Sequence, residues 1–534
     1  MSKQILFDED ARRQLRNGIK TLAKAVKVTY GPSGRNVMLG KSMGKLEMTK
    51  DGQTVSKEIE VEQRFENMGA RLLNEVASKT NKEVGDGTTS SIILAEAMIE
   101  KGSRFALSGV SPVELRKGIE KAVATAVKEL EKASAAVEKK QEIVHVGTIA
   151  ANEPELGKLF GEAIHKVGEN GVVTVEENDS VGTHLDLVEG LEIDKGWISP
   201  YFVTDRMNAI CTFEKPFILF TDHKISGLQD LLPILEQVVP TKRPLVIIAE
   251  DVEGEALAGL LLNKLRGVMD VVAIKAPGFG DRRKALLEDL AIVTGGQMVA
   301  KDSGVSWSQV GKAQLGTVKK IEVSKDRTIF FRGNTNKEAI ADRCAQIEAQ
   351  IEQTNSNYDR EKLEERLARI QGKIAVIRVG GTTEAEIVER KARAVDALSA
   401  TRAAMSEGIV PGAGTAFLRI AEKVAATRVS GDARFGVEVV ANAMMAPTTQ
   451  LANNAGLDGP AVVSEVLEYE DFEMGFDAKK GKVADLLSSG VIDPAKVLRV
   501  ALQNAASVAA LYLTSDTTIT ELEKDEDAVQ GALI

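Results

Sequence analysis

The sequence predicts a multidomain α and α/β protein in which a mainly helical domain, closed by both ends of the chain, brackets an α/β module. Three observations carry this. At 534 residues the chain is too long for a single core, so two to four domains are expected. Apolar residues recur at helical spacing through most of the first 140 positions, after which short β-branched runs alternate with helical segments. From about residue 407 the Ala-rich helical pattern of the start returns.

The elements follow in order. Residues 9–29 and 64–108 have helical spacing, and 111–140 continues as a long helix rich in Ala, Lys and Glu. Residues 36–39 and 46–49 alternate around Gly40 and Gly44, which predicts a hairpin running into Lys50-Asp51-Gly52. The runs 171–176, 217–221, 244–249 and 271–275 read as strands of the separate middle domain. Residues 336–370 read as a helical hairpin, with Ile340, Cys344, Ile347 and Ile351 on one arm and Leu363, Leu367 and Ile370 on the other. Asn355-Ser356-Asn357 supplies its turn.

Composition removes several classes of function. Apolar residues make up 43% and charged residues 27%, the profile of a soluble globular protein. Only 4% is aromatic and the net charge is −10, so neither stacking platforms for single-stranded nucleic acid nor a polyanion partner is expected. Cys211 and Cys344 lie far apart, and no Cys-x-x-Cys or His-x-x-x-His spacing occurs, which argues against a disulfide framework and a zinc site. His145, His165, His184 and His223 are scattered and receive no role. The first ten residues have neither a basic start nor an apolar run, and no later run is read as membrane-spanning. No membrane partner and a cytoplasmic location are expected.

The segment Gly85-Asp86-Gly87-Thr88-Thr89-Ser90, followed by Ile92, Ile93, Leu94 and Ala95, reads as a phosphate site. Two glycines let the backbone turn sharply and approach a ligand, and the hydroxyls then lie on the first turn of a helix, where free amides attract anions. Asp86 beside a phosphate calls for a cation between them, which suggests a metal-bound nucleotide. The competing reading is a plain turn feeding a helix, and for an isolated match of this length it is the better one.

The match is not isolated. Val26-Lys27-Val28-Thr29-Tyr30-Gly31-Pro32, Thr49-Lys50-Asp51-Gly52, Gly85 to Thr89, Glu250-Asp251-Val252-Glu253-Gly254-Glu255-Ala256-Leu257, Ala276-Pro277-Gly278-Phe279-Gly280-Asp281-Arg282-Arg283 and Thr401-Arg402-Ala403-Ala404 follow one another in the chain. Together they resemble the GroEL-type bacterial group I chaperonin, of the 60 kDa chaperonin family, from near residue 5 to near residue 525. The resemblance implies an equatorial ATP-binding domain from 1–132 and 407–534, the latter ending in a flexible tail. It also implies a small intermediate domain from 133–188 and 375–406, and an α/β apical domain for substrate and lid at 189–374.

The resemblance further implies an ATP pocket. Thr29, Tyr30, Gly31, Pro32, Lys50, Asp86, Gly87, Thr88, Thr89 and Ser90 stand at phosphate and metal contacts, with Asp86 as Mg2+ ligand and Thr29, Lys50 and Thr89 as a K+ site. Asp51 and Asp396 match the two acids of hydrolysis, where a carboxylate can orient the attacking water. Asp396 lies far along the chain from the pocket, so a domain movement is expected to bring it in. On the purine side the family's three glycines become Gly412-Ala413-Gly414 and its Asn-Ala-Ala becomes Asp477-Ala478-Lys479, while Asp493 matches.

The middle domain holds apolar stripes that read from the residues alone as core. The resemblance reverses this for Trp197, Tyr201, Phe202, Leu232, Leu235, Leu257, Leu261 and Leu262, which match an exposed surface for non-native polypeptides and a GroES-type lid, with Asn263 on its polar rim. Heptameric rings, two of them stacked, are implied, with the alternating segment 517–522 pairing with a neighbour's hairpin around 37–49. Several departures qualify this. Lys373 replaces the second glycine of a hinge pair after Gly372, and Ala136 or a neighbour replaces a hinge proline, although the hinge glycines Gly190 and Gly408 match. Thr449 and Leu457-Asp458-Gly459-Pro460 alter the inter-ring contacts, and the tail 525–534 lacks Gly-Gly-Met repeats. The function expected is ATP-dependent folding of captured chains. The alternatives are a divergent holdase without a productive ATP cycle and a metabolic ATPase or kinase.

Overall fold

The computed structural model describes residues 3–40, 46–137, 139–167, 172–178, 182–206, 208–303, 307–333, 337–354 and 356–521. The chain divides into two compact units. The first joins 1–162, 177–183 and 379–534, and the second joins 163–176 and 184–378. The expected first intermediate segment, 133–188, is thus shared between them, and the second, 375–406, falls almost wholly in the first unit.

The first unit is helical. The segment expected as one helix over 64–108 is two, Arg64–Val84 and Thr88–Leu107, broken at the glycine-flanked Asp86. With Asp8–Lys27, Pro112–Ala133, Thr415–Ala425, Ala433–Ala443 and Ala495–Thr514 they enclose one apolar core, in which Leu22, Leu73, Ile92, Val410 and Leu502 are fully buried. Both ends of the chain therefore supply this core. Ala495–Thr514 is long and apolar enough to cross a membrane, which the sequence reading missed, but most of it is buried in the core. The expected hairpin forms from Val37–Gly40 and Leu46–Thr49.

Thr517–Glu521 is a strand, as the alternation over 517–522 predicts. It pairs antiparallel with Lys3–Phe7 of the same chain, Lys3 opposite Glu521 and Phe7 opposite Thr517. Each strand hides one edge of the other. Leu522, the tail 525–534, Gly44 and Asn355 lie outside the described residues.

The second unit is built on two large sheets, with a small two-stranded one of Lys224–Ile225 and Asp251–Val252. Val271–Lys275, Leu245–Ala249, Phe217–Thr221 and Met298–Val299 run parallel in that order, with Gly316–Thr317 antiparallel to Phe217–Thr221. These strands are continuous apolar runs because helices cover the sheet, Leu232–Val238, Gly254–Leu265 and Gly280–Thr294 among them. A six-stranded sheet contains His184–Ile193 between Lys373–Val379 and Thr328–Phe331. Gly190, expected at a hinge, is held there in register opposite Phe331, and a Cβ on it would meet Ile374 Cδ1 at 2.2 Å. The helical hairpin is Lys337–Gln353 and Asn357–Gln371, with Ser356 capping the second arm.

Candidate functional site

The site in the helical unit grows from two helix starts and a loop. Gly85 (φ 67°) ends one helix and Gly87 (φ 77°) begins the next, so the backbone reverses around Asp86 through two left-handed residues. A Cβ on Gly87 would lie 2.5 Å from Val497 Cγ1. Gly87 supplies no side-chain cap, so the first-turn amides of the Thr88 helix face outward without a protein acceptor from that residue. Asp51 starts the second helix, Gly52–Glu58, and accepts from Gln53 N at 3.1 Å, Thr54 N at 2.8 Å and Thr54 Oγ1 at 2.6 Å. A Cβ on Gly52 would fall 2.2 Å from Thr89 Oγ1, so the two helix starts abut.

The loop after the first helix forms the adjoining wall. Thr29 is buried and donates to Val26 O at 2.9 Å; Gly31 turns at φ 78° and Pro32 is exposed. Ser90 Oγ donates to the Tyr30 hydroxyl at 3.0 Å. Asn454, which the sequence reading did not single out, clamps this loop by donating to Lys27 O and Tyr30 O, both at 2.9 Å.

Asp396 lies far along the chain from the cradle. Its helix, Glu384–Glu407, belongs to the same compact unit as the cradle, and a Cβ on Gly85 would lie 2.3 Å from Ser399 Oγ, one turn beyond Asp396. In this conformation Ser399 packs the Asp396 helix against Gly85 of the cradle. The pKa of Asp396 is raised well above the ordinary value by burial first, then by Asp86, then by Asp51. Asp86 is raised by burial, with Asp51 adding and its 2.6 Å bond from Gly87 N opposing. Burial and then Asp86 push Asp493 up to about 7, against the bond from Gly414 N. Tyr30 is raised by burial and then by Asp493.

These acids therefore crowd one another, and a cation would relieve the cost. Among the described residues no three His, Cys, Asp or Glu side chains are grouped to cage a metal. Mg2+ needs no such cage, since it takes one or two carboxylates and completes its shell with phosphate oxygens and water.

The purine side fits less well. Ile409–Pro411 pairs with Ile492–Pro494, setting Asp493 opposite Val410, and the chain then turns through Gly412-Ala413-Gly414 into the helix Thr415–Ala425. Ala413 has φ 55°, a left-handed conformation better suited to the glycine it replaces. Asp477 is buried, and its carboxylate is spent within its own hairpin. It accepts from Lys479 N at 3.0 Å and Lys480 N at 3.1 Å and pairs with Lys480 Nζ at 2.9 Å. Burial raises its pKa, but those bonds outweigh it and hold the group below the ordinary value. Ala478 is half-buried against a small core and Lys479 is exposed.

In the second unit the expected capture surface divides. Tyr201 is 66% exposed, Leu262 47% and Leu232 43%, and they are joined by Leu265 and Val268, which the sequence reading missed. Trp197, Leu257 and Leu261 are half-buried against the core, and Asn263 is tied to Gly259 O at 2.9 Å. Phe202 and Leu235 are corrections, since both are core. Phe202 closes the short 3-10 turn Pro200–Phe202, whose successive side chains point about 120° apart, so Tyr201 faces out and Phe202 in. Leu235 lies on the inner side of its helix with Ile234 and Val238.

The TCP-1/cpn60 chaperonin family model matches residues 22–523. The chain belongs to this family. Its fold is also that of a solved structure, the chaperonin gp146 from the bacteriophage EL 2 (Pseudomonas aeruginosa), crystallised in the presence of ATP-BeFx. The two agree with a TM-score of 0.72 at 20% identity over 97% of this chain and 99% of the other. The GroEL-like multidomain fold and a chaperone role expected from the sequence thus stand for this chaperonin.

Proposed function

We propose that this chaperonin is an ATP-driven folding chaperone of the cytoplasm. It captures non-native polypeptides on the apolar face around Tyr201 and Leu262, and a nucleotide cycle releases them into a ring cavity under a GroES-type lid. The observation that carries the reading is the gathering of Asp51, Asp86 and Asp396 beside an uncapped helix start in one compact unit. Asp86 holds Mg2+ against the phosphates, Thr29, Lys50 and Thr89 serve K+, and Asp51 and Asp396 orient the attacking water. The bound metal supplies charge neutralisation at the terminal phosphate.

Each apolar side chain buried against a client contributes about 1.5–3 kcal/mol before ordering costs, so a single subunit binds weakly. Heptameric rings, stacked in pairs, convert such contacts into avidity. A holdase reading is favoured by two observations, the left-handed Ala413 and the self-engaged Asp477, both of which weaken the purine wall.

Refolding of an aggregation-prone enzyme with ATP and a GroES-type lid separates the two. Wild type returns active client, and Asp396→Ala captures client but hydrolyses ATP about 100-fold more slowly. Suppression of aggregation by wild type without release of active client rejects the ATP-driven reading and leaves the holdase.

A further inference from the structure

No sequence motif points to the helix Ala446–Asn454, yet it touches both walls of the cradle. Near its start Thr448, wholly buried, donates its hydroxyl to Ala413 O at 2.9 Å. Gly414 (φ 74°) follows so closely that a Cβ on it would meet Thr448 Oγ1 at 2.6 Å and Pro447 Cβ at 3.1 Å. One turn on, Leu451 presses against the Tyr30 loop, where a Cβ on Gly31 would fall 2.1 Å from Leu451 Cδ2. A turn further, Asn454 Nδ2 donates to Lys27 O and Tyr30 O, both at 2.9 Å. Gln450 orients that amide by donating to Asn454 Oδ1 at 2.8 Å.

The contacts fall where the backbone has most need of them. Lys27 O and Tyr30 O belong to the loop in which the helix Asp8–Lys27 ends and carbonyls run out of helical partners. A side-chain amide has two N–H donors, and Asn454 spends both there. Ala413 is the left-handed residue of the purine turn, and the Thr448 hydroxyl fixes its carbonyl. Thr448 and Asn454 lie about 9 Å apart along one helix, a rigid spacing that the two walls inherit.

We propose that the helix Ala446–Asn454 is the gauge of the nucleotide site. Thr448 and Asn454 are its positioning residues: the first holds the purine-side turn, the second the phosphate-side loop, and the helix between them fixes their separation. The inference rests on the nucleotide reading above and deepens it. Phosphoryl transfer depends on where the phosphates sit relative to the metal and the acids, so the Asn454 contact governs the rate. The Thr448 contact governs how well the purine end is held. It keeps the turn in place even though a glycine has become Ala413, which offsets part of that departure.

The test uses the full-length protein with Thr448→Val, Thr448→Ser, Asn454→Ala and the double variant Thr448→Val/Asn454→Ala. It measures the Kd for ADP, the KM and kcat for ATP, and the melting temperature without nucleotide. Thr448→Val keeps the shape and removes the hydroxyl, and is expected to raise Kd and KM about tenfold with a several-fold smaller effect on kcat. Thr448→Ser, which keeps the hydroxyl, recovers most of that loss. Asn454→Ala is expected to lower kcat about tenfold or more while the Kd for ADP rises about threefold. In the double variant the Kd departs from the product of the single effects by more than about threefold, beyond what independent sites show. Effects that multiply overturn the gauge. So do a loss of Kd and kcat in parallel with a lower melting temperature in all four variants, which marks a merely structural helix. An unchanged Kd in Thr448→Val and kcat in Asn454→Ala, with Asp396→Ala impaired, overturns it and leaves the ATPase reading intact. If wild type hydrolyses no faster than Asp396→Ala, the ATPase reading falls and the ADP measurements decide alone; a wild type that binds no ADP takes this inference with it.

Discussion

In the helical unit, carboxylates are held within reach of one another by glycines that tolerate no Cβ and by helix starts that abut. In the middle unit, Tyr201, Leu262 and Leu265 stand exposed on a scaffold whose sheet and helices are tightly buried behind them. The first region is specific because its geometry is over-determined. The second is suited to varied clients because apolar contact has no direction. One chain thus carries both a site that a small displacement would ruin and a surface on which a single side chain matters less, and the substitutions that damage each differ in kind.

The sharpest way to break the contrast is at neighbouring residues of the middle unit. Phe202→Ala should cost about 3–5 kcal/mol of that unit's stability, because a fully buried ring leaves a cavity. Tyr201→Ser should change stability by no more than about 0.5 kcal/mol while weakening client capture. Urea unfolding and an aggregation assay read the two effects, and equal losses of stability would show that Tyr201 belongs to the core after all.

A smaller effect belongs to the helical unit. Asp493 is pushed up to about 7, so the folded protein keeps a proton that the unfolded chain loses at about pH 4. The folded state then binds more protons than the unfolded one between those values, and stability falls as pH rises through them. Asp493→Asn should remove about 2–3 kcal/mol of that decline between pH 5 and 7, measured by denaturant unfolding across the range without nucleotide. Parallel pH profiles for variant and parent would remove Asp493 from the crowded acids. Smallest is Ala413→Gly, which should stabilise the helical unit by about 1 kcal/mol at most, as relief of the left-handed alanine exceeds the entropy cost of glycine. A loss of stability would mean the turn is not strained.

What the sequence revealed was mostly local. Gly85 to Ser90 announced a turn and a helix start, and the β-branched runs 217–221 and 271–275 are strands as read. What it concealed depended on partners far away. Asp396 reaches the cradle through Ser399 against Gly85, and Asn454 grips the Tyr30 loop across 424 residues. No window of sequence contains such contacts. Phe202 and Tyr201 could not be separated by hydropathy, because the turn from Pro200 decides which faces inward. Asp477 looked like a ligand residue until its hairpin claimed both oxygens.

The pairing of Lys3–Phe7 with Thr517–Glu521 has a consequence for the life of the chain before it is complete. Lys3 and Glu521 also form an ion pair, 518 positions apart. On a ribosome adding about 5–20 residues per second, the first strand waits roughly 25–100 s for its partner to be made. The middle unit draws nearly all of its residues from one continuous stretch, 184–378, and can close while synthesis continues. The helical unit cannot, since Leu22 and Leu73 share their core with Leu502 and Leu513. Throughout its own synthesis the molecule is therefore a half-finished polypeptide with open apolar surface, the same kind of object it is proposed to shelter.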